Sequence, residues 1–131
     1  MRRPLLAFLA LAALAACGED RPTIDVAAAE RGARVFEVKC SACHASSDAA
    51  RVGPGMRDVH GAPAAAAADF PYSDALRAAG IVWDDEALVA LLTQGEDWLP
   101  GINMIIEPLP ETEARDVAEH LKRLSGGGRR P

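Results

Sequence analysis

Five consecutive residues, Cys-Ser-Ala-Cys-His at positions 40–44, constrain this chain more than any other part of it. Two thiols separated by two residues and followed by an imidazole are typical of covalent haem attachment. In that chemistry the thiols of Cys40 and Cys43 add across two vinyl groups and His44 binds the iron. The Cys-x-x-Cys pair is also the reactive unit of thiol oxidoreductases, so the motif alone leaves a haem-less dithiol open. In both cases these three side chains are the candidate site.

The composition suits a domain whose interior is completed by a large apolar group. The chain has 131 residues, enough for one domain, and only 5% of them are aromatic. Such a chain has few large side chains with which to build a core, and a bound cofactor would fill much of that space. The 19 acidic side chains outnumber the 14 basic ones, and this balance argues against nucleic acid as a partner.

The N-terminus has the pattern of an export signal. Residues 2–3 are arginines, and residues 5–16 form an uncharged apolar run, too short for the roughly 20 residues that span a bilayer. The run ends in Leu-Ala-Ala-Cys, which resembles a lipobox, where a bacterial signal peptidase cuts before a cysteine that carries lipid. We therefore expect lipid on Cys17 and a place on the periplasmic side of a bacterial membrane. Simple cleavage after Ala16, giving a soluble periplasmic protein, stays open.

Four segments of the chain beyond residue 24 have helical patterns. Between Asp25 and Lys39 alanines are frequent and proline is absent, which favours a helix leading into the cysteine motif. Two shorter helices follow, and then a last one with a clear apolar stripe. The predicted segments are 25–39; 73–79, with Ser73 as N-cap and Gly80 as stop; 84–94, with Asp84 as N-cap; and 112–124, with Thr112 as N-cap.

Two further features of the sequence predict close packing. Residues 45–72 have no helical or strand period and contain several glycines and prolines, so they are predicted to form a long loop. Loops of that length are uncommon in a small domain unless they wrap something. Gly32, inside the first predicted helix, costs about 1 kcal/mol relative to alanine and predicts close approach by another element.

Several motifs follow one another in a fixed order: Gly32-x-x-x-Phe36-x-x-x-Cys40-x-x-Cys43-His44, Gly53-Pro54, Phe70-x-Tyr72, Gly80-Ile81-x-Trp83 and Pro100-Gly101-Ile102-Asn103-Met104. Over about residues 30–124 they resemble a class I cytochrome c of the mitochondrial type, here in a membrane-anchored, lipoprotein-like bacterial form. The resemblance implies an all-α cytochrome c fold, with about four short helices and a long omega-type loop wrapped round one covalent haem c. The predicted organisation is a signal peptide (1–16), a lipid-attachment cysteine and linker (17–27), the cytochrome c domain (28–124) and a flexible tail (125–131).

The same resemblance assigns roles around the haem. His44 and Met104 would be the axial ligands of the iron, and the carbonyl of Pro54 would accept a hydrogen bond from His44. Tyr72 and Trp83 would hydrogen-bond a haem propionate. The first and last helices would cross at Gly32, Phe36, Val117 and His120. The remaining candidate ligands, Met56, His60 and His120, are expected to have structural roles.

Four positions depart from the resembled pattern. Ala62 and Leu76 stand where the pattern has an arginine and an asparagine that pair with the propionates. Leu91 and Ile102 replace a tyrosine and a threonine that would steady the methionine sulfur. The pocket is therefore expected to be less polar, and the lysine-rich rim used for docking is absent, since the chain has only Lys39 and Lys122.

The function implied by the resemblance is one-electron transfer by a monomeric carrier that is not an enzyme. Its partners would be membrane-bound redox complexes, namely a quinol–cytochrome c reductase, a terminal oxidase or a periplasmic dehydrogenase, together with the lipid bilayer at the anchor. One alternative is a haem-based gas sensor or peroxidase-like enzyme in which Met104 dissociates. The other is the haem-less thiol oxidoreductase.

Overall fold

The computed structural model describes residues 23–126 and shows an all-helical domain. The helices are α1 (Val26–Lys39), α2 (Asp74–Ala78), α3 (Asp85–Gln94) and α4 (Glu111–Leu124), with a 3₁₀ turn at Gly95–Asp97 after α3. Within residues 23–126 the only strand-like pairing is a single bridge between Pro63 and Val82. The predicted all-α architecture with four short helices is confirmed.

Side-chain caps start the first three helices. The side chain of Asp25 accepts the N–H of the third residue of α1 at 3.0 Å. Ser73 does the same for α2 at 3.2 Å, and Asp84 for α3 at 2.8 Å. Each cap satisfies one of the N–H groups that a helix leaves without a partner in its first turn. The predicted caps Ser73 and Asp84 are confirmed.

Helix α4 begins differently from the prediction. Thr112 is its second residue, and Pro110 occupies the N-cap position with no side-chain cap. A proline costs little at this position, because its missing N–H would have no partner within the helix, and its extended backbone, φ −56° and ψ 144°, is typical of an N-cap. The carboxylates of Glu111 and Glu113 lie in the first turn, where they interact favourably with the positive end of the helix dipole. Thr112 as N-cap was therefore wrong.

Helices α1 and α4 cross at a point where their backbones touch. A β-carbon built on Gly32 would fall on the backbone carbonyl of Asp116, so a larger residue would force the helices apart. The rings of Phe36 and His120 pack at the same crossing with their centroids 5.3 Å apart, and Val117 is almost fully buried there. The predicted close approach at Gly32 is thereby confirmed.

The core is built mainly from α3, α4 and the loops that face them. Leu88, Leu91 and Leu92 are the buried residues of α3, which packs against α4. The segment before α4 is linked to α3 by a hydrogen bond, 2.9 Å long, from the Leu109 N–H to the Leu92 carbonyl. The buried apolar cluster consists of Phe36, Met56, Trp83, Leu88, Leu91, Leu92, Leu109, Ala114, Val117, Ala118 and Leu121.

A nearly buried lysine ties the long loop to two helices. Lys122 is 5% exposed, and its Nζ donates to Asp85 at 2.8 Å and to Glu119 at 2.7 Å. The His60 ring contacts the other oxygen of Asp85 at 2.9 Å. Burial alone would lower the pKa of Lys122, but its bonds to the two carboxylates outweigh burial and raise that pKa. Residues far apart in the sequence form this network, which the sequence patterns did not indicate.

The folded region differs slightly from the predicted domain limits. Helix α1 begins at Val26, two residues before the predicted domain start. Ser125, assigned to the flexible tail, caps α4 and accepts a hydrogen bond from the N–H of His60 at 3.1 Å. The signal peptide, Cys17 and the last five residues lie outside the described residues. No helix in the described part of the chain is both long and apolar enough to cross a membrane.

Candidate functional site

The cysteine motif forms a tight turn at the end of α1. The N–H groups of Cys43 and His44 both donate to the carbonyl of Cys40, at 3.0 and 2.9 Å. This turn leaves Cys40 half-buried against the core and Cys43 exposed. Burial raises the pKa of the Cys40 thiol in spite of the nearby Lys39. A reactive Cys-x-x-Cys thiol needs the opposite shift, so the environment of Cys40 goes against a dithiol oxidoreductase.

His44 is held in one orientation by the segment that follows it. Its Nδ1 lies 2.8 Å from the carbonyl oxygen of Pro54. Because a carbonyl only accepts, Nδ1 carries the hydrogen and Nε2 keeps the lone pair that can bind a metal. A β-carbon on Gly53 would strike the His44 ring, so this contact requires glycine. The N–H of Gly53 also donates to the Cys43 carbonyl at 2.8 Å, which closes the loop over the motif.

Met104 lies in the loop between the 3₁₀ turn and α4. It follows a turn at Gly101, whose φ of +87° favours glycine. Met104 is half-buried and packs, like Cys40, against the buried apolar cluster that contains Trp83 and Leu91. Cys40 and Met104, which are far apart in the sequence, thus pack against the same buried cluster.

Tyr72 and Trp83 lie on two neighbouring loop segments. The Tyr72 hydroxyl accepts a long hydrogen bond, 3.4 Å, from the N–H of Ala67. Its own hydrogen is left to donate to another acceptor. Trp83 is buried, and its backbone pairs with the long loop through a bond from its N–H to the Ala62 carbonyl, 2.9 Å, and one from the Gly61 N–H to its carbonyl, 2.8 Å.

One aromatic residue of this region was missed by the sequence interpretation. Trp98 follows the 3₁₀ turn, and its ring lies 6.4 Å from that of Trp83, centroid to centroid. It is half-buried and packs on the core cluster. The signal was present, because the chain has only two tryptophans, and a large aromatic close before Met104 is a reasonable candidate for a pocket wall.

The other potential ligands are engaged elsewhere. Met56 lies in the buried core, His60 contacts Asp85, and His120 packs on Phe36 at the helix crossing. The four positions that depart from the resembled pattern are apolar and at least half-buried, as expected for a less polar pocket: Ala62, Leu76, Leu91 and Ile102.

These residues fit a haem better than a free metal ion. Within residues 23–126 no group of three or more His, Cys, Asp or Glu side chains could hold a metal. One imidazole and one thioether would leave a bare ion with too few ligands, so the metal must arrive with its own, as iron does in a porphyrin. The thiols of Cys40 and Cys43 provide two attachment points, and the apolar lining suits the ring.

Comparison with known proteins decides the family. Residues 29–125 match the cytochrome c family. This chain belongs to the cytochrome c family. Its relatives include cytochrome c2 of Rhodoblastus acidophilus, 35% identical over 102 residues that cover 76% of this chain and 94% of that protein. The cytochrome c of Theileria parva is 34% identical over 98 residues, covering 72% of this chain and 84% of that protein.

A solved structure and a second family match extend this result. Cytochrome cH from Methylobacterium extorquens superimposes with a TM-score of 0.67 and 32% identity, covering 72% of this cytochrome and 97% of that chain. Residues 1–17 match the prokaryotic membrane lipoprotein lipid attachment site. The class I fold, the covalent haem c and the lipoprotein-type leader expected from the sequence are confirmed. Members of the family are electron carriers.

Proposed function

We propose that this cytochrome c carries single electrons between membrane-bound redox complexes on the periplasmic side of a bacterial membrane. A quinol–cytochrome c reductase, a terminal oxidase and a periplasmic dehydrogenase are the partners proposed. The proposal is supported by the oriented imidazole of His44, which is bonded to Pro54 at 2.8 Å, and by Met104, which packs on the same buried cluster as Cys40 of the His44 motif. A histidine and a methionine together fill both axial positions of a haem iron, which leaves none for a substrate.

Each residue of the site has a defined task in this proposal. Cys40 and Cys43 would hold the porphyrin covalently, and His44 would present Nε2 to the iron because Pro54 accepts the hydrogen of Nδ1. Met104 supplies a soft, neutral sulfur, which favours reduced iron. The haem, when bound, supplies the one-electron redox couple. The surrounding apolar side chains exclude water and so disfavour the charged ferric form.

We also propose that Tyr72 and Trp83 bind a haem propionate. The Tyr72 hydroxyl has a hydrogen to give, and the indole of Trp83 is a donor on the adjoining segment. With Ala62 and Leu76 in place of polar residues, these two side chains would be the main donors to the propionates.

The experiment on Met104 tests the ligand pair. We expect the oxidised haem-loaded protein to show the weak sulfur-to-iron charge-transfer band of a low-spin, six-coordinate haem. Met104→Ala should abolish this band and lower the reduction potential, because axial ligands set potentials over a range of about 0.8 V. Met56→Ala is the matched control, since it removes a buried thioether that is not proposed as a ligand. A band that survives Met104→Ala and disappears in Met56→Ala would show the assignment to be wrong.

The leader supports a lipid anchor at Cys17. Two or more acyl chains, each contributing about 0.8 kcal/mol per buried CH₂, hold a protein stably on a membrane, whereas one chain binds only marginally. We propose that the mature cytochrome begins at Cys17 with a thioether-linked diacylglycerol. Cys17→Ser should release haem-loaded protein into the periplasmic fraction with an unchanged spectrum, because Cys40 and Cys43 are intact. Wild-type protein found free in that fraction with an unmodified N-terminus would contradict the anchor.

A further inference from the structure

A single aromatic side chain lies in the loop that carries Met104. We call residues 95–108, which follow α3, the methionine loop, and Trp98 is its only aromatic residue. Asp97 just before it is exposed, whereas Trp98 is half-buried and packs on the core cluster. A large ring held against a core restricts the residues on either side of it, so Trp98 has the place of an anchor for this loop.

The backbone of the methionine loop does little to hold it in place. Within residues 23–126, the backbone hydrogen bonds of this loop beyond the 3₁₀ turn stay inside the loop, and they are long, 3.2–3.4 Å. Gly95 and Gly101 have positive φ angles of +57° and +87°. Because glycine loses more conformational freedom on folding than any other residue, both positions favour opening of the loop. Side-chain contacts must therefore keep it closed.

Trp98 rests on Trp83, which the rest of the domain holds firmly. The two ring centroids are 6.4 Å apart and the ring planes are inclined at 44°, a separation at which aromatic rings attract each other. Trp83 is only 7% exposed, and backbone hydrogen bonds join it to Gly61 and Ala62 of the long loop. The ring contact therefore ties a weakly bonded loop to a fixed position.

The other contacts of the methionine loop involve smaller side chains. A β-carbon on Gly101 would lie 3.3 Å from that of Ala75, which places the loop beside α2, and one on Gly95 would lie 3.3 Å from Ile106. Ile106 packs on the core cluster, as Met104 does. Packing of aliphatic groups is non-directional, whereas paired rings prefer particular arrangements. The tryptophan pair is thus the contact that specifies where the loop lies.

We propose that Trp98 is a positioning residue for the Met104 ligand: its ring, seated on Trp83, fixes the methionine loop and so keeps the sulfur on the iron. Met104 lies six residues after Trp98, so Trp98 acts by restricting the segment that delivers the sulfur. Trp83 is also proposed to bind a haem propionate, and the ring pair would link that end of the site to the methionine. The proposal rests on the ligand pair proposed above.

Displacement of Met104 by imidazole tests this role. Imidazole is mixed with oxidised, haem-loaded full-length protein in detergent micelles, and loss of the sulfur-to-iron band is followed by stopped flow. At high imidazole concentration the rate becomes constant, and this limiting rate is the rate at which Met104 leaves the iron. Trp98→Leu keeps an apolar side chain but removes the ring, so we expect it to raise the limiting rate at least about tenfold. Trp98→Phe keeps a smaller ring and should raise it only about two- to threefold.

Leu124→Ala is the matched control for a general loss of stability. Leu124 is half-buried on the same core cluster but lies at the end of α4. Its truncation leaves a cavity and lowers the free energy of unfolding, which denaturant unfolding measures for each variant. Because a loop can open without unfolding of the whole domain, the limiting rate in Leu124→Ala should stay within about twofold of the wild type.

The outcomes separate this role from the carrier function. An unchanged limiting rate in Trp98→Leu would overturn it, and so would a rate that rises with lost stability in Leu124→Ala as it does in Trp98→Leu. If Trp98→Leu loads too little haem for kinetics, a wild-type rate in Trp98→Phe would overturn it instead. A Trp98→Leu protein that lacks the band before imidazole is added, while Trp98→Phe retains it, would support the role. Absence of the band from the wild type would contradict the ligand pair on which the carrier function depends.

Discussion

The two sides of the haem site are held by different forces. On the His44 side, backbone hydrogen bonds link Cys40 to His44 and Cys43 to Gly53, and the imidazole itself bonds to Pro54. On the Met104 side, the backbone of residues 103–108 makes no hydrogen bond to any other part of residues 23–126. That segment is held by apolar packing of side chains such as Ile102, Met104 and Ile106.

This difference indicates which of the two proposed ligands should yield first. Hydrogen bonds specify direction and are costly to break when buried, whereas apolar packing is non-directional and allows a segment to shift. Leu91 and Ile102 accentuate the contrast, because apolar side chains at these positions offer no hydrogen bond to the sulfur. We therefore expect the His44 side to resist change and the Met104 side to exchange its ligand more readily.

The largest effect should come from filling the space under His44. Gly53→Ala places a methyl group in the His44 ring, so the imidazole must turn away from Pro54 and little haem-loaded protein should form. The counterpart on the other side is Gly101→Ala, where φ is +87°. It should cost about 1–2 kcal/mol of stability and still give haem-loaded protein. A pyridine haemochrome assay of protein matured in a periplasm measures both.

The result for Gly53→Ala also tests whether the His44 side is the more rigid of the two. Normal haem loading and an unchanged sulfur-to-iron band in this variant would mean that the His44 side is as yielding as the Met104 side. If Gly101→Ala alone prevented loading, the order of rigidity would be reversed.

Ligand exchange at Met104 gives the next effect. Carbon monoxide should bind the reduced protein slowly near neutral pH, because it must first displace the methionine. Ile102→Thr introduces a hydroxyl two residues before Met104, and one hydrogen bond of about 0.5–1.5 kcal/mol from it to the sulfur should slow CO binding by a further two- to tenfold. Stopped-flow mixing with CO measures these rates, and Ile102→Val controls for the change in volume.

Rapid, stoichiometric CO binding to the wild type would contradict the proposal that Met104 is an iron ligand. It would mean that Met104 does not hold the iron in the reduced state, and would favour the gas sensor or peroxidase-like enzyme over a carrier.

The smallest effect concerns His120 of α4, which packs against α1, the helix that leads into the cysteine motif. His120, 6% exposed, packs against Phe36 of α1 and its Nδ1 is buried without a partner. Burial, with a contribution from Arg123, lowers the pKa of His120 from its ordinary 6.5. The unfolded chain therefore binds the proton first as the pH falls, and the stability present above pH 6.5 declines below it. From pH 7 to pH 6 the loss should be at most about 0.7 kcal/mol.

Denaturant unfolding of the haem-loaded protein at the two pH values measures this loss. His120→Phe keeps the aromatic contact and has no proton to bind, so its stability should not change through this group between pH 7 and pH 6. An equal decline in that variant would assign the pH dependence to another group. The sulfur-to-iron band should be unaffected in both proteins.

Short-range patterns in the sequence predicted a good part of this fold. Ser73 and Asp84 were found as caps because a cap acts on an N–H only three residues away. The same rule failed at Thr112, because Pro110 starts α4 without a side-chain bond and a search for a hydroxyl or carboxylate passes over a proline. Trp98 was missed for a different reason, since its contact with Trp83 joins segments that no local pattern connects.

The chemistry of this protein is already recognisable in short stretches of its sequence. The spacing of Cys40, Cys43 and His44, the leader ending at Cys17 and the motif before Met104 are local, and each is recognisable without knowing how the chain folds. How firmly each proposed ligand is held, and what surrounds it, depends on the folded domain. Lys122 is buried between carboxylates, and the ring of Trp98 lies 6.4 Å from that of Trp83. These properties depend on contacts between residues far apart in the chain, and packing of the whole domain determines them.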